Sequence, residues 1–128
     1  AKMANIYDFI QKSPNRFETV IGERGIMLSA GQRQRIIIAR ILARDPQILI
    51  LDEATSALDN ESEAKIQKII ENLKGKMTVL VVAHRLSTVI NSDRLLVLEK
   101  GQIIEQGAPN ELLKNKESYF YKVYNIRK

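Results

Sequence analysis

Hydrophobic residues recur along this chain at two spacings, and the change from one to the other marks out its elements. Met3, Ile6, Tyr7 and Ile10 repeat at helical spacing before the polar Gln11-Lys12-Ser13 and Pro14, so a helix opens the chain and ends near Lys12. Residues 19–28 hold Gly22 and Gly25 around Glu23-Arg24 and read as a loop. Ser29 then stands where an N-cap belongs, ahead of a helical stretch to Arg44 that Asp45-Pro46 stops. Residues 47–51 form a short apolar run rich in branched side chains, the pattern of a strand buried on both faces of a parallel sheet. Asp59 or Asn60 can cap the next helix, whose Ile66, Ile69, Ile70 and Leu73 make one apolar stripe that Gly75 closes. Residues 77–82 form a second buried strand. Strand, helix, strand in that order is a parallel crossover unit, with a right-handed connection expected. Beyond His84 come a short helical turn, a hairpin of residues 95–98 and 102–105 about Lys100-Gly101, and two closing helices at 109–114 and 119–125. Without repeats or a linker-like stretch, the pattern predicts one compact unit of α/β order.

Composition narrows the function classes. The 128 residues are 45% hydrophobic and 27% charged, the balance of a packed globular chain and not of a disordered one. The apolar runs at 48–51 and 77–83 are far too short to cross a bilayer. The absence of cysteine removes disulfides, thiolate metal sites and a cysteine nucleophile, and suits a reducing compartment. No apolar segment follows Ala1-Lys2-Met3-Ala4, so the start does not read as a secretion signal. A beginning at Ala1, inside a helical pattern and without an initiating Met, suggests a chain trimmed from something longer.

The net charge of +5 raises nucleic acid as a partner. Residues 114–128 carry five basic side chains against Glu117, leaving +4 in the tail. Arg33, Arg35, Arg40 and Arg44 are interspersed with apolar residues, as on the solvated side of an ordinary amphipathic helix. Neither group has an aromatic platform or a groove-reading motif beside it, so no nucleic-acid partner is expected.

Candidate chemistry lies at the ends of the elements. In parallel sheets ligands bind outside the carboxyl ends of the strands, where Asp52-Glu53 and His84 stand. Paired carboxylates after an apolar strand suggest a metal ligand beside a proton acceptor. Leu28-Ser29-Ala30-Gly31-Gln32 opens a helix whose free N–H groups and dipole favour an anion such as phosphate. Taken singly, these residues also fit plainer roles: a strand-to-loop transition, a hydrogen-bonded structural histidine and an ordinary serine cap.

Their order is what distinguishes them. Leu28-Ser29-Ala30-Gly31-Gln32 closely resembles the signature sequence of ATP-binding-cassette (ABC) ATPases, and Ile48-Leu49-Ile50-Leu51-Asp52-Glu53 resembles their Walker B strand. Ser56-Ala57-Leu58-Asp59 is similar to their D-loop, and His84 to their switch histidine. Thr19-Val20-Ile21-Gly22-Glu23-Arg24-Gly25 resembles the loop that in exporters contacts the coupling helices of the transmembrane domain. The wording of residues 52–59 and 83–88 is most similar to the multidrug and lipid exporter branch. Ala30 departs from the family's first signature glycine, a methyl that a helical backbone tolerates. No Gly-x-x-x-x-Gly-Lys-Ser/Thr occurs; the only Gly-Lys pair, Gly75-Lys76, is followed by Met77.

The resemblance implies the C-terminal half of a nucleotide-binding domain. Its fold would be α/β, a partial P-loop NTPase (ABC ATPase) fold with a mostly parallel sheet flanked by helices, lacking the phosphate-loop strand and the N-terminal β-subdomain. Residues 1–45 would belong to the helical signature subdomain and residues 46–128 to the C-terminal part of the ATPase core. Asp52 would hold Mg2+ through water, Glu53 would be the general base, and His84 would contact the γ-phosphate of ATP. Ser29, Gly31 and Gln32 would touch a γ-phosphate held by a second nucleotide-binding domain closing head to tail, with Asp59 linking the two sites. The implied place is the cytoplasmic face of a membrane, through transmembrane domains that this chain lacks.

The resemblance also implies that residues 1–128 alone neither bind ATP tightly nor hydrolyse it, because no phosphate loop neutralises the β- and γ-phosphates. Strand edges that a phosphate-loop strand would cover point either to self-association, for example by strand exchange, or to a chain ordered only in part. Two readings from other classes stand beside this one. The first is a chromosome-maintenance or DNA-repair ATPase using the basic tail on DNA, although no heptad run precedes the signature. The second is a non-catalytic module docking through Tyr119, Phe120, Tyr121 and Tyr124, residues that also suit core packing of the last helix.

Overall fold

The structure is a computed structural model that describes residues 1–23, 25–55, 58–83 and 85–126, with the backbone alone for Leu86 and Ser87. It divides into two compact units, Ala1–Val82 and Ala83–Lys128, where the sequence pattern predicted one. The physical reason lies in strand pairing: two separate two-stranded sheets form, and among the described residues no strand is shared between them.

The first unit opens with α1 (Tyr7–Lys12), which Ser13 ends by donating its N–H to Ile10 and its hydroxyl to the Phe9 carbonyl. The loop that follows is tightened at both glycines. Gly22 adopts a positive φ of 104°, and a Cβ on Gly25 would stand 2.0 Å from the Val20 carbonyl oxygen. Helix α2 (Ala30–Leu42), strand β1 (Ile48–Asp52), helix α3 (Asn60–Leu73) and strand β2 (Thr78–Val82) complete the unit. Strands β1 and β2 pair in parallel, with Ile50 opposite Leu80 and Asp52 opposite Val82.

The core forms where the stripes meet. Ile66, Ile69, Ile70 and Leu73 of α3 are all buried, joined by Ile38 of α2 and by Leu49 and Leu51 of β1. Each such side chain contributes about 1.5–3 kcal/mol relative to an exposed one. The expectation that β1 is buried on both faces is corrected: Leu49 and Leu51 are 1% and 4% exposed, whereas Ile48 and Ile50 are each 61% exposed. Leu80 and Val82 are likewise exposed on β2. Among the described residues no layer covers that face of the sheet.

In the second unit, α4 (Leu86–Val89) precedes an antiparallel hairpin of β3 (Leu95–Glu99) and β4 (Gln102–Gly107). Lys100 and Gly101 both take positive φ, the geometry of a two-residue hairpin turn. Helix α5 (Pro109–Leu112) carries Pro109 in its first turn, where a missing N–H costs nothing. The last helix, α6 (Tyr119–Ile126), begins on a carboxylate: Glu105 of β4 accepts from the Ser118 hydroxyl at 3.0 Å and from the N–H groups of Tyr119 and Phe120 at 3.1 and 2.9 Å. Phe120 is buried against Tyr124, ring centroids 6.2 Å apart, while Tyr119 stays exposed, so the aromatic group serves largely as packing.

Candidate functional site

Two helix N-termini and one strand end carry the described candidate residues, all within the first unit. At the start of α2, Ser29 forms a complete capping box. Its Oγ accepts from the Gln32 N–H at 3.2 Å, and its own N–H donates to Gln32 Oε1 at 2.9 Å. The N–H groups of Ala30 and Gly31, by contrast, have no acceptor among the described residues. Ala30 is the first helical residue and is exposed, so its methyl meets no obstacle.

Gly31 is different. It is buried, and a Cβ there would lie 2.3 Å from Oγ and 2.6 Å from Cβ of Ser62, in the first turn of α3. This glycine therefore serves close helix approach and brings the start of α2 against the start of α3. Asp59 caps α3 by accepting from the Ser62 N–H at 2.9 Å, and these hydrogen bonds hold its carboxyl below the usual aspartate range.

Arg35 is the residue that the pattern misplaced. Its expected position on a solvated face is corrected by its burial at 6% exposure, one helical turn beyond Gly31. The legible signal was spacing: Gly31, Arg35 and Ile38 fall at i, i+4 and i+7 and share the buried side of α2. Desolvation lowers the Arg35 pKa, while the carboxylates of Glu61 and Asp59 act in the opposite sense.

At the end of β1, Asp52 and Glu53 are both exposed. Glu53 takes a left-handed backbone, φ 47°, while its N–H extends the sheet by donating to the Val82 carbonyl at 3.0 Å. A non-glycine residue in that region carries about 1–3 kcal/mol of strain and turns the chain sharply out of the strand. Among the described residues no group of three or more His, Cys, Asp or Glu side chains is arranged to hold a metal ion. The chain thus offers a cation one or two carboxylates, a set that fits Mg2+, which fills its shell largely with water and phosphate oxygens. His84, Ser56 and Ala57 lie outside the described residues. Among those residues no hydrogen bond or ion pair joins Asp52 to Ser29, Gly31 or Gln32. The strand end and the α2 start thus form separate parts of the site.

A protein-family model described as ABC transporter matches residues 1–56. An ATP-dependent lipid A-core flippase of Alkalilimnicola ehrlichii is 56% identical over 119 residues, 93% of this chain and 20% of that protein. The chain belongs to the ABC transporter family. ATP-binding cassette sub-family B member 5 of Mus musculus is 53% identical over 94% of this chain and 10% of its own length. The solved structure of a bacterial Atm1-family ABC exporter with ATP bound superposes with a TM-score of 0.82 at 41% identity, covering 99% of this chain and 22% of that one. The α/β arrangement is accordingly a partial ABC ATPase fold. The chain spans about a fifth or less of the length of these curated relatives. Among the described residues no helix is long and apolar enough to cross a membrane.

Proposed function

We propose that this chain is the C-terminal half of a nucleotide-binding domain of an ABC exporter of the multidrug and lipid branch, and that the whole protein hydrolyses ATP to power transport. The observation that supports the reading is the presence in one unit, at separate places, of a carboxylate-bearing strand end turned sharply at Glu53 and a capped helix start whose Ala30 and Gly31 amides have no acceptor among the described residues. Under this reading Glu53 takes the proton of the attacking water and His84 contacts the γ-phosphate. Ser29, Gly31 and Gln32 donate to the γ-phosphate held by a second nucleotide-binding domain, in a head-to-tail dimer that Asp59 helps to link. Asp52 would hold Mg2+, which supplies charge neutralisation at the phosphates. Residues 1–45 then belong to the signature subdomain and 46–128 to the ATPase core, on the cytoplasmic face of a membrane and coupled to transmembrane domains through Glu23 and its neighbours.

Residues 1–128 alone would lack the phosphate cradle. The open sheet face of Ile48, Ile50, Leu80 and Val82 supports self-association of the isolated chain. No specific observation favours the DNA-repair alternative. The test compares the full-length protein with Glu53→Gln: ATP hydrolysis should fall to background with ATP binding retained. Hydrolysis unchanged in Glu53→Gln would refute the assignment, as would micromolar ATP affinity of residues 1–128 in calorimetry for the missing cradle.

A further inference from the structure

Among the described residues Arg35 is the only charged side chain that is buried. Its Nε and Nη1 meet no hydrogen-bond acceptor. Nη1 lies 3.4 Å from the point that a Cβ on Gly31 would occupy, the same point that is 2.3 Å from Ser62 Oγ. The guanidinium therefore sits where α2 crosses α3. A guanidinium cannot shed its proton in a protein, so the charge persists there. Burying an ion without matched hydrogen bonds costs several kcal/mol, and apolar replacements of buried ions are often neutral or stabilising. Packing alone gives no reason for an arginine at this position. What the site does supply is a field: Glu61 and Asp59, in the first turn and cap of α3, favour the charge.

We propose that Arg35 is a positioning residue: its charge draws the acidic start of α3 against the glycine turn of α2, fixing the spacing between Ser29, Gly31 and Gln32 on one side and Asp59 on the other. The inference rests on the ATPase reading above, because it is in the closed dimer that both groups would act together. Arg35 touches neither nucleotide nor reacting atoms; it acts through the two helix starts.

The test uses the full-length protein with Arg35→Met, Arg35→Lys and Glu61→Gln. A charge-dependent coupling of this kind is worth about 3- to 30-fold. Arg35→Met should lower kcat by that factor while KM for ATP and Tm stay at wild-type values, and Arg35→Lys, which keeps the charge, should recover most of the loss. Glu61 is exposed and pairs with Lys65 at 2.5 Å, acting on Arg35 without a direct ion pair among the described residues, so Lys65→Gln serves as the control for that pair and should leave kcat unchanged. Glu61→Gln should lower kcat without moving Tm, and should add nothing to Arg35→Met. If Arg35→Met does not fold, Arg35→Lys and Glu61→Gln decide: wild-type kcat in Glu61→Gln overturns the proposal. It is equally overturned if Arg35→Met keeps wild-type kcat while Glu53→Gln is inactive, a result that leaves the ATPase reading intact. A wild-type protein without ATP hydrolysis would overturn the ATPase reading and the role of Arg35 with it.

Discussion

Gly31→Ala should destabilise the chain even though it places a better helix former inside a helix. In an open helix that exchange gains about 1 kcal/mol. Here the new methyl would stand 2.3 Å from Ser62 Oγ and 2.6 Å from Ser62 Cβ. The hydroxyl can rotate away, but Cβ is fixed to the α3 backbone, so the two helices must separate. Overpacking of this kind costs about 1–3 kcal/mol. With the contact at the upper end of that range and the propensity gain set against it, the net loss is about 2 kcal/mol. Urea unfolding followed by circular dichroism would read this as a midpoint lower by about 1 M at an unchanged slope. Ser62→Gly removes both obstructing atoms and keeps the backbone N–H that Asp59 accepts at 2.9 Å. In that background Gly31→Ala should become neutral or stabilising, a coupling of about 2 kcal/mol in the double-mutant cycle. An unchanged midpoint for Gly31→Ala, or the same cost with and without Ser62, would refute close helix approach as the reason for this glycine.

Three further outcomes are expected. Ser29→Ala removes one half of the capping box and should cost about 1 kcal/mol in the same unfolding assay, with faster amide exchange at Gln32. Glu105→Ala strips the start of α6 of three hydrogen bonds, so exchange at Tyr119 and Phe120 should accelerate by an amount equivalent to about 1–3 kcal/mol; unaltered exchange there would show that the carboxylate does not hold the helix. Asp59 has a folded pKa below its unfolded one, so its contribution is complete above the ordinary aspartate pKa of about 4 and is lost as pH falls through the lowered value. Asp59→Asn, which still caps, should leave stability at neutral pH nearly unchanged and flatten the acid limb of the pH–stability curve.

Local chemistry was the part most legible in the sequence. Ser29 and Asp59 cap the helices they were expected to cap, Gly75 closes α3 with a φ of 73°, and Lys100-Gly101 makes the hairpin turn, because each of these depends on residues within one helical turn or one tight turn. Burial was less legible because it depends on what lies opposite. Arg35 sits in the polar run Arg33-Gln34-Arg35, and composition outweighed the spacing that put it in line with Gly31 and Ile38. Ile48 and Ile50 belong to an apolar run without alternation, which reads as two buried faces, yet one of them lies open among the described residues. The candidate site follows the same division. The residues of each motif are recognisable from order, whereas the contact of Gly31 with Ser62, which brings two motifs together, joins positions 31 residues apart and leaves no local trace.

The capping box at the start of α2 has one more consequence. Ser29 Oγ and Gln32 Oε1, the oxygens that could receive a proton from a ligand, each already accept one backbone N–H, which halves their acceptor capacity. What the helix start offers in full is donors: the Ser29 hydroxyl proton, the Gln32 amide protons and the N–H groups of Ala30 and Gly31. Such an end discriminates by sign before any partner arrives. Under the proposed function such an end would suit a multiply charged oxyanion better than a cation or a sugar hydroxyl seeking an acceptor.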